Sequence, residues 1–269
     1  MTDPAMLTDA SYWDRYWNSL SLPREHRRQP KALYLNAILD VFDRYLPRSS
    51  SLSIAELGGA PGQYLAYMHR TFGYRVTCID YSATGCAKTE ENFRLLGIPG
   101  EVIHADIFSD DAPLPRFDIV YSLGLIEHFA DRMPVVERHL RLLKPGGHLV
   151  LGVPNFRGAT GWFMRSLAPK VYAAHDIGAM DLARWRAFED RFGLETLFKE
   201  YVGGFEPSIF RRREEKRLGN LVPYLMAVGL SKALSRRFGF LRRFNGPRLS
   251  GYAMAVYRSG ADRDRRVVR

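Results

Sequence analysis

From residue 52 to residue 153 the chain alternates between short apolar runs and amphipathic stretches, a rhythm that restricts the fold more than any single residue does. The runs at 52–57, 75–80, 101–105, 117–122 and 147–153 have the length of buried strands. Between them, 63–72, 84–96 and 132–143 carry apolar residues at helical spacing, the last with Val136, Leu140 and Leu143 on one face. Strands joined through helices of this size pair in parallel, because the crossover returns the chain to the same end of the sheet. The expected fold is therefore α/β, a doubly wound, mostly parallel sheet with helices on both faces. Ligands on such sheets bind beyond the carboxyl ends of the strands.

The flanks are less regular. Residues 11–20 read as a short helix with Tyr12 and Tyr16 on one face and Trp13 and Trp17 beside them. Residues 31–46 carry Leu35, Ile38, Leu39, Phe42 and Leu46 as an amphipathic stripe. After the fifth strand come a loop-rich stretch at 154–180, a helix at about 181–192 and a sixth strand at about 194–202. A basic segment and a last strand, "GYAMAVYR", complete the order.

With 46% apolar residues the chain can build a substantial core, and one domain is expected. No apolar run approaches the ~18 residues of a membrane span, and "MTDPAMLTDA" lacks the pattern of a signal peptide, so a soluble, cytoplasmic protein is expected. Cys78 and Cys86 fall in a predicted strand and its following helix, which suits packed thiols better than a disulfide or a metal site. The net charge of +10 is concentrated late: from Arg211 onward there are 16 Lys/Arg against 4 Asp/Glu, leaving 23 against 25 before it. The body of the protein is therefore not a general polyanion binder, and nucleic acid is not expected as a partner.

"AELGGAPGQYL", residues 55–65, places Gly58, Gly59 and Gly62 directly behind the first strand and before a helix, a turn that lets backbone approach a ligand. A dinucleotide fingerprint would need a small residue where Gln63 stands. An acid-x-G-x-G-x-G pattern fits Glu56, Gly58, Ala60 and Gly62 with one departure, at Ala60, which implies that the turn keeps a negative φ there. On these residues the sequence resembles the Rossmann-like, seven-stranded class of S-adenosylmethionine-dependent methyltransferases. The resemblance continues through "VTCIDYS", ending on Asp80 and Tyr81, through "IHADIFS" with Asp106 and Ile107, and through "FDIVYSLGLIEHF" with Ser122 and Leu123. It ends in "LLKPGGHLVLGVPN" and so covers about residues 52–155.

The resemblance implies a single methyltransferase domain. Residues 1–50 would be N-terminal helices forming a lid, 51–155 the cofactor half, 156–205 the acceptor side, 206–249 a basic helical insertion, 250–258 the last strand and 259–269 a tail. S-adenosyl-L-methionine would be the cofactor and S-adenosyl-L-homocysteine the product. Tyr12, Tyr16, Glu56, Gly58, Ala60, Gly62, Asp80, Tyr81, Asp106, Ile107, Ser122 and Leu123 would contact it, Asp80 through the ribose hydroxyls and Asp106 beside the adenine. His128 is the candidate base and His175 a candidate acceptor-pocket residue. Displacement at a sulfonium needs no metal, and the seven histidines show no ligand-type spacing with carboxylates, so none is expected. The acceptor is expected to be a small molecule methylated on O or N. Two alternatives stay open: a lipid-like or quinone-type acceptor with the basic insertion against a membrane, and a binding protein that holds the cofactor without turnover. Oligomeric state is left open.

Overall fold

The computed structural model describes residues 6–8, 10–29, 32–109, 113–204, 229 and 244–260. Two helices come first, α1 (Ala10–Asn18) and α2 (Leu33–Tyr45). The alternating region follows as β1 (Ser53–Leu57), α3 (Gln63–Phe72), β2 (Arg75–Asp80), α4 (Ala83–Leu96), β3 (Glu101–His104), β4 (Phe117–Leu123), α5 (Met133–Arg141) and β5 (Leu143–Pro154). The remainder comprises α6 (Gly158–Leu167), α7 (Pro169–Ala173), α8 (Arg186–Phe192), β6 (Glu195–Val202) and β7 (Tyr252–Arg258). The seven strands form one sheet in the order β3-β2-β1-β4-β5-β7-β6. Pairings among β1 to β5 are parallel, and β7 runs antiparallel between β5 and β6.

Strands buried on both faces explain why the sequence shows continuous apolar runs instead of alternation. Successive residues still serve opposite sides. On β7, Ala253, Ala255 and Tyr257 pack with Val136, Leu140 and Trp185 on one face, while Tyr252, Met254 and Val256 pack with Ile38, Leu39, Phe42, Leu65 and Met68 on the other. The Val, Leu, Ile, Phe and Met side chains among these contribute roughly 1.5–3 kcal/mol each when fully buried. Helix α4 shows how its limits are set: the Ser82 hydroxyl accepts from the Gly85 N–H at 2.9 Å at one end, and Gly97 closes the other with φ +66°. Cys78 and Cys86 are free thiols, both buried.

Three expectations need correction. The stretch at 154–180 is not mainly loop: it holds α6, α7 and a 3-10 turn at Ile177–Met180. Gly158, Gly161 and Pro169 had hidden its helical periodicity. The helix expected at 181–192 divides into a 3-10 turn, Leu182–Trp185, and α8. Finally, α2 is mostly core, packing through Ile38, Leu39 and Phe42, and reaches the ligand side of the sheet only through Tyr34.

The basic insertion lies outside the described residues except for Gly229 and 244–249, as does the tail beyond residue 260. Its two ends meet, since the Gly251 N–H donates to the Gly204 carbonyl at 2.9 Å. Among the described residues no helix is long and apolar enough to cross a membrane.

Candidate functional site

At the carboxyl ends of β1, β2 and β4 lies a cavity of about 450 Å³, within the range that holds a small organic ligand. Its floor is the turn after β1. Gly58 and Gly62 have φ of +66° and +77°, and no non-glycine residue among those described has positive φ, so Ala60 fits its place. Gly62 starts α3 and has a second reason to be glycine, because a Cβ there would fall 2.6 Å from the Phe93 ring. The N–H of Gly58 donates to the Ile79 carbonyl at 2.8 Å, which ties the turn to β2.

Two acids stand beside that floor. Glu56 is buried, receives the Tyr121 hydroxyl on Oε2 at 2.7 Å, and titrates at about 8, pushed up chiefly by burial and further by the charge of Asp80. Asp80 ends β2 at 4% exposure; its Oδ1 accepts from the Ser82 N–H at 2.9 Å. Burial outweighs this and the other backbone amides that reach it, so its carboxyl is raised to about 6. Asp106 lies at the cavity's edge, where Oδ1 accepts from the Phe108 N–H at 2.9 Å, and Tyr81 and Ile107 line the wall nearby.

Helix α1 forms the roof. It is fixed to α4 by the Ser82 hydroxyl, which donates to Asp14 Oδ1 at 2.8 Å. Ahead of it the Leu7 N–H donates to the His128 carbonyl at 2.8 Å. Trp13, Tyr16, Trp17 and Leu20 face the cavity. Tyr12 does not: it lies edge-on against Trp13 at 5.2 Å between centroids, outside the lining. The spacing of four was visible in the sequence, yet it pairs Tyr12 with Tyr16, of which only Tyr16 lines the cavity, while Trp17 packs over Gly85.

Leu123 and the segment after β4 make the far wall, but Ser122 does not line the cavity. Its hydroxyl points to the other side of the sheet and hydrogen-bonds His139 Nε2 at 2.8 Å. His139 Nδ1 faces the Val135 carbonyl at 2.8 Å, so Nδ1 carries the proton and Nε2 accepts from Ser122. Burial holds that imidazole down to about 4.

The 3-10 turn Ile126–His128 is anchored by buried Ile126 and delivers both Glu127 and His128 to the cavity. His175 comes from the turn after α7 and lies with its ring centroid 4.4 Å from that of His128. The sequence had placed His128 and His175 as separate candidates; the fold brings them together. It also adds residues that the sequence reading missed. Glu127 is fully buried against them. Arg24, from the connection after α1, lines the cavity beside the glycine turn, its Nε donating to Gln63 Oε1 at 3.3 Å. Nothing in the sequence around Arg24 marks it, because its position depends on Asn92, which grips the Arg24 backbone N–H at 2.7 Å and its carbonyl at 2.8 Å.

The fold is a Rossmann-like α/β sheet with a cavity at the carboxyl ends of its strands. Residues 55–151 match the family described as "Methyltransferase domain". A glycine/sarcosine/dimethylglycine N-methyltransferase of Actinopolyspora halophila is 32% identical over 108 residues, 39% of this chain and 19% of that protein. A ubiquinone biosynthesis O-methyltransferase of Alkalilimnicola ehrlichii is 31% identical over 141 residues, 47% of this chain and 56% of its own. The chain therefore covers less than two thirds of these relatives. The crystal structure of coclaurine N-methyltransferase bound to N-methylheliamine and S-adenosylhomocysteine superposes with a TM-score of 0.57 at 16% identity, over 82% of this chain and 72% of that one, a likeness of fold.

Proposed function

We propose that the protein transfers a methyl group from S-adenosylmethionine to the oxygen or nitrogen of a small-molecule acceptor. The observation that carries this reading is the meeting of the glycine turn, Asp80 and Asp106 along one side of a single cavity whose other end holds Glu127, His128 and His175. In this arrangement the adenine lies against Asp106 and Ile107 and the ribose hydroxyls donate to Asp80. The methionyl part runs over residues 58–62, where Arg24 supplies a cation for its carboxylate. The sulfonium then points toward the histidines.

The acceptor's lone pair forms a bond to the methyl carbon while the S–CH3 bond breaks and its electrons neutralise the sulfonium. The protein's main contribution is alignment in a water-poor site, which α1 closes from above. An amine attacks with its own lone pair, whereas a hydroxyl must give up a proton, for which Glu127 and His128 are the nearby bases. A small acceptor also agrees with the matched relatives, named for sarcosine-type amines and ubiquinone precursors.

The test is calorimetric titration with S-adenosylhomocysteine, followed by incubation with methyl-labelled S-adenosylmethionine and a panel of small amines, phenols and carboxylates. Stoichiometric product binding and label transfer to one acceptor class are expected. Absence of S-adenosylhomocysteine binding would overturn the reading; binding without transfer to any acceptor would favour a non-catalytic holder of the cofactor.

A further inference from the structure

We propose that Glu127, His128 and His175 form a binding site for a first-row divalent cation of the zinc type at the acceptor end of the cavity. The cation would hold an acceptor's hydroxyl or carboxylate oxygen. The site itself stands on geometry alone, and only the role given to the bound oxygen rests on the methyl-transfer reading.

One donor atom from each of the three residues lies within 4.8 Å of the other two. All three residues are buried, at 0%, 3% and 7% exposure, and all line the cavity. A carboxylate and two imidazoles at this spacing in a low-dielectric wall favour a positive charge between them.

The imidazoles are already set for ligation. His128 Nδ1 faces the Ala174 carbonyl at 2.9 Å, and His175 Nδ1 faces the Val171 carbonyl at 2.6 Å. A carbonyl only accepts, so each Nδ1 carries a proton, which makes Nε2 the nitrogen that can ligate. Anchoring one ring nitrogen on a backbone carbonyl while the other ligates is the usual support of a metal-bound histidine.

The backbone around the cluster is fixed too. The Asp176 N–H donates to the Glu127 carbonyl at 2.7 Å, and the Asp176 carboxylate is ion-paired with Arg132, so that guanidinium's charge is compensated beside the site. Ligand bonds of about 2.1 Å put neighbouring donors roughly 3.4 Å apart, so side-chain movement of about 1 Å closes the cluster on an ion. Two imidazoles and one carboxylate form a donor set for zinc-like ions, while calcium and magnesium prefer all-oxygen sites. Three protein ligands leave a coordination position open toward the cavity. With the ion bound, His128 serves as a ligand and not as a base.

Local spacing in the sequence gives no sign of this cluster, because it is the turn after α7 that returns His175 to the side of residues 127 and 128.

Untagged full-length protein, stripped with a chelator, is titrated with Co(II) and then Zn(II). Metal content and the Co(II) visible spectrum are followed, with S-adenosylhomocysteine calorimetry on the same preparation. About one ion per chain is expected, with ligand-field bands displaced by Zn(II). His175→Gln and Glu127→Gln should each weaken Co(II) binding by at least about 100-fold, and His148→Gln, remote from the cavity, should leave it unchanged.

Failure of the stripped wild-type protein to bind Co(II) overturns the proposal, whether or not the variants fold. Binding that survives both cavity substitutions in variants with wild-type circular dichroism overturns it equally. Metal uptake without S-adenosylhomocysteine uptake would leave the cation site standing and remove the methyl-donor reading; the reverse result would do the opposite.

Discussion

Replacing Asp80 with Asn separates the stability of the ligand-free protein from the hold on the donor that we propose for this carboxylate. The carboxyl of Asp80 moves from 3.8 to about 6 on folding, mainly because it is buried. Its ionised form is therefore worse off in the folded chain, by about 3 kcal/mol at about 1.4 kcal/mol per pH unit. The sign follows directly: the penalty is absent below pH 3.8, grows as pH rises, and is complete above about 6. Asn keeps an oxygen for the Ser82 N–H and carries no charge.

At pH 8 ligand-free Asp80→Asn should therefore melt about 6–12 °C above wild type, and the difference should vanish near pH 4. Donor binding should move the other way. Hydrogen bonds from ribose hydroxyls to a charged acceptor are each worth about 1.5–3 kcal/mol, and an amide keeps only part of this, so S-adenosylhomocysteine affinity should fall about 10- to 100-fold. Differential scanning fluorimetry across pH and calorimetry at pH 8 read the two effects. A variant that melts no higher than wild type at pH 8, or that binds the product as tightly, refutes the reasoning.

Glu56→Gln keeps an oxygen for the Tyr121 hydroxyl and removes a group that titrates at about 8, so the variant's stability advantage in urea melts should grow from about pH 4.5 and level off above 8. Ser122→Ala leaves His139 Nε2 buried without its donor; urea melts should show a loss of about 1–3 kcal/mol, while calorimetry should show unchanged S-adenosylhomocysteine affinity because residue 122 lies outside the cavity lining.

The alternating half of the fold was legible because β1, β2 and β4 are largely buried on both faces and its turns need glycine. Residues 63–72 and 75–80 are the helix and strand expected there, and Gly58 and Gly62 have the positive φ that only glycine adopts easily. Legibility declined where position depends on contacts between distant segments. Tyr12 and Ser122 have the right type and spacing yet face away: of the Tyr12 and Tyr16 pair only Tyr16 lines the cavity, and β4 alternates its side chains. Arg24 and Glu127 reach the cavity through Asn92 and through the turn holding Ile126, contacts that no local pattern reports. The pairing of His128 with His175 is of the same kind.

The hydrogen bond between Gly251 and Gly204 means that the chain leaves the sheet and re-enters it at nearly one point. The sheet therefore places almost no demand on the length of what lies between, since enlarging an already closed excursion costs only fractions of a kcal/mol per added residue. Gly251 and Tyr252 also line the cavity, so this exit stands beside the candidate site. Segments of different length can thus be held between Gly204 and Gly251 without disturbing the register of β5, β7 and β6.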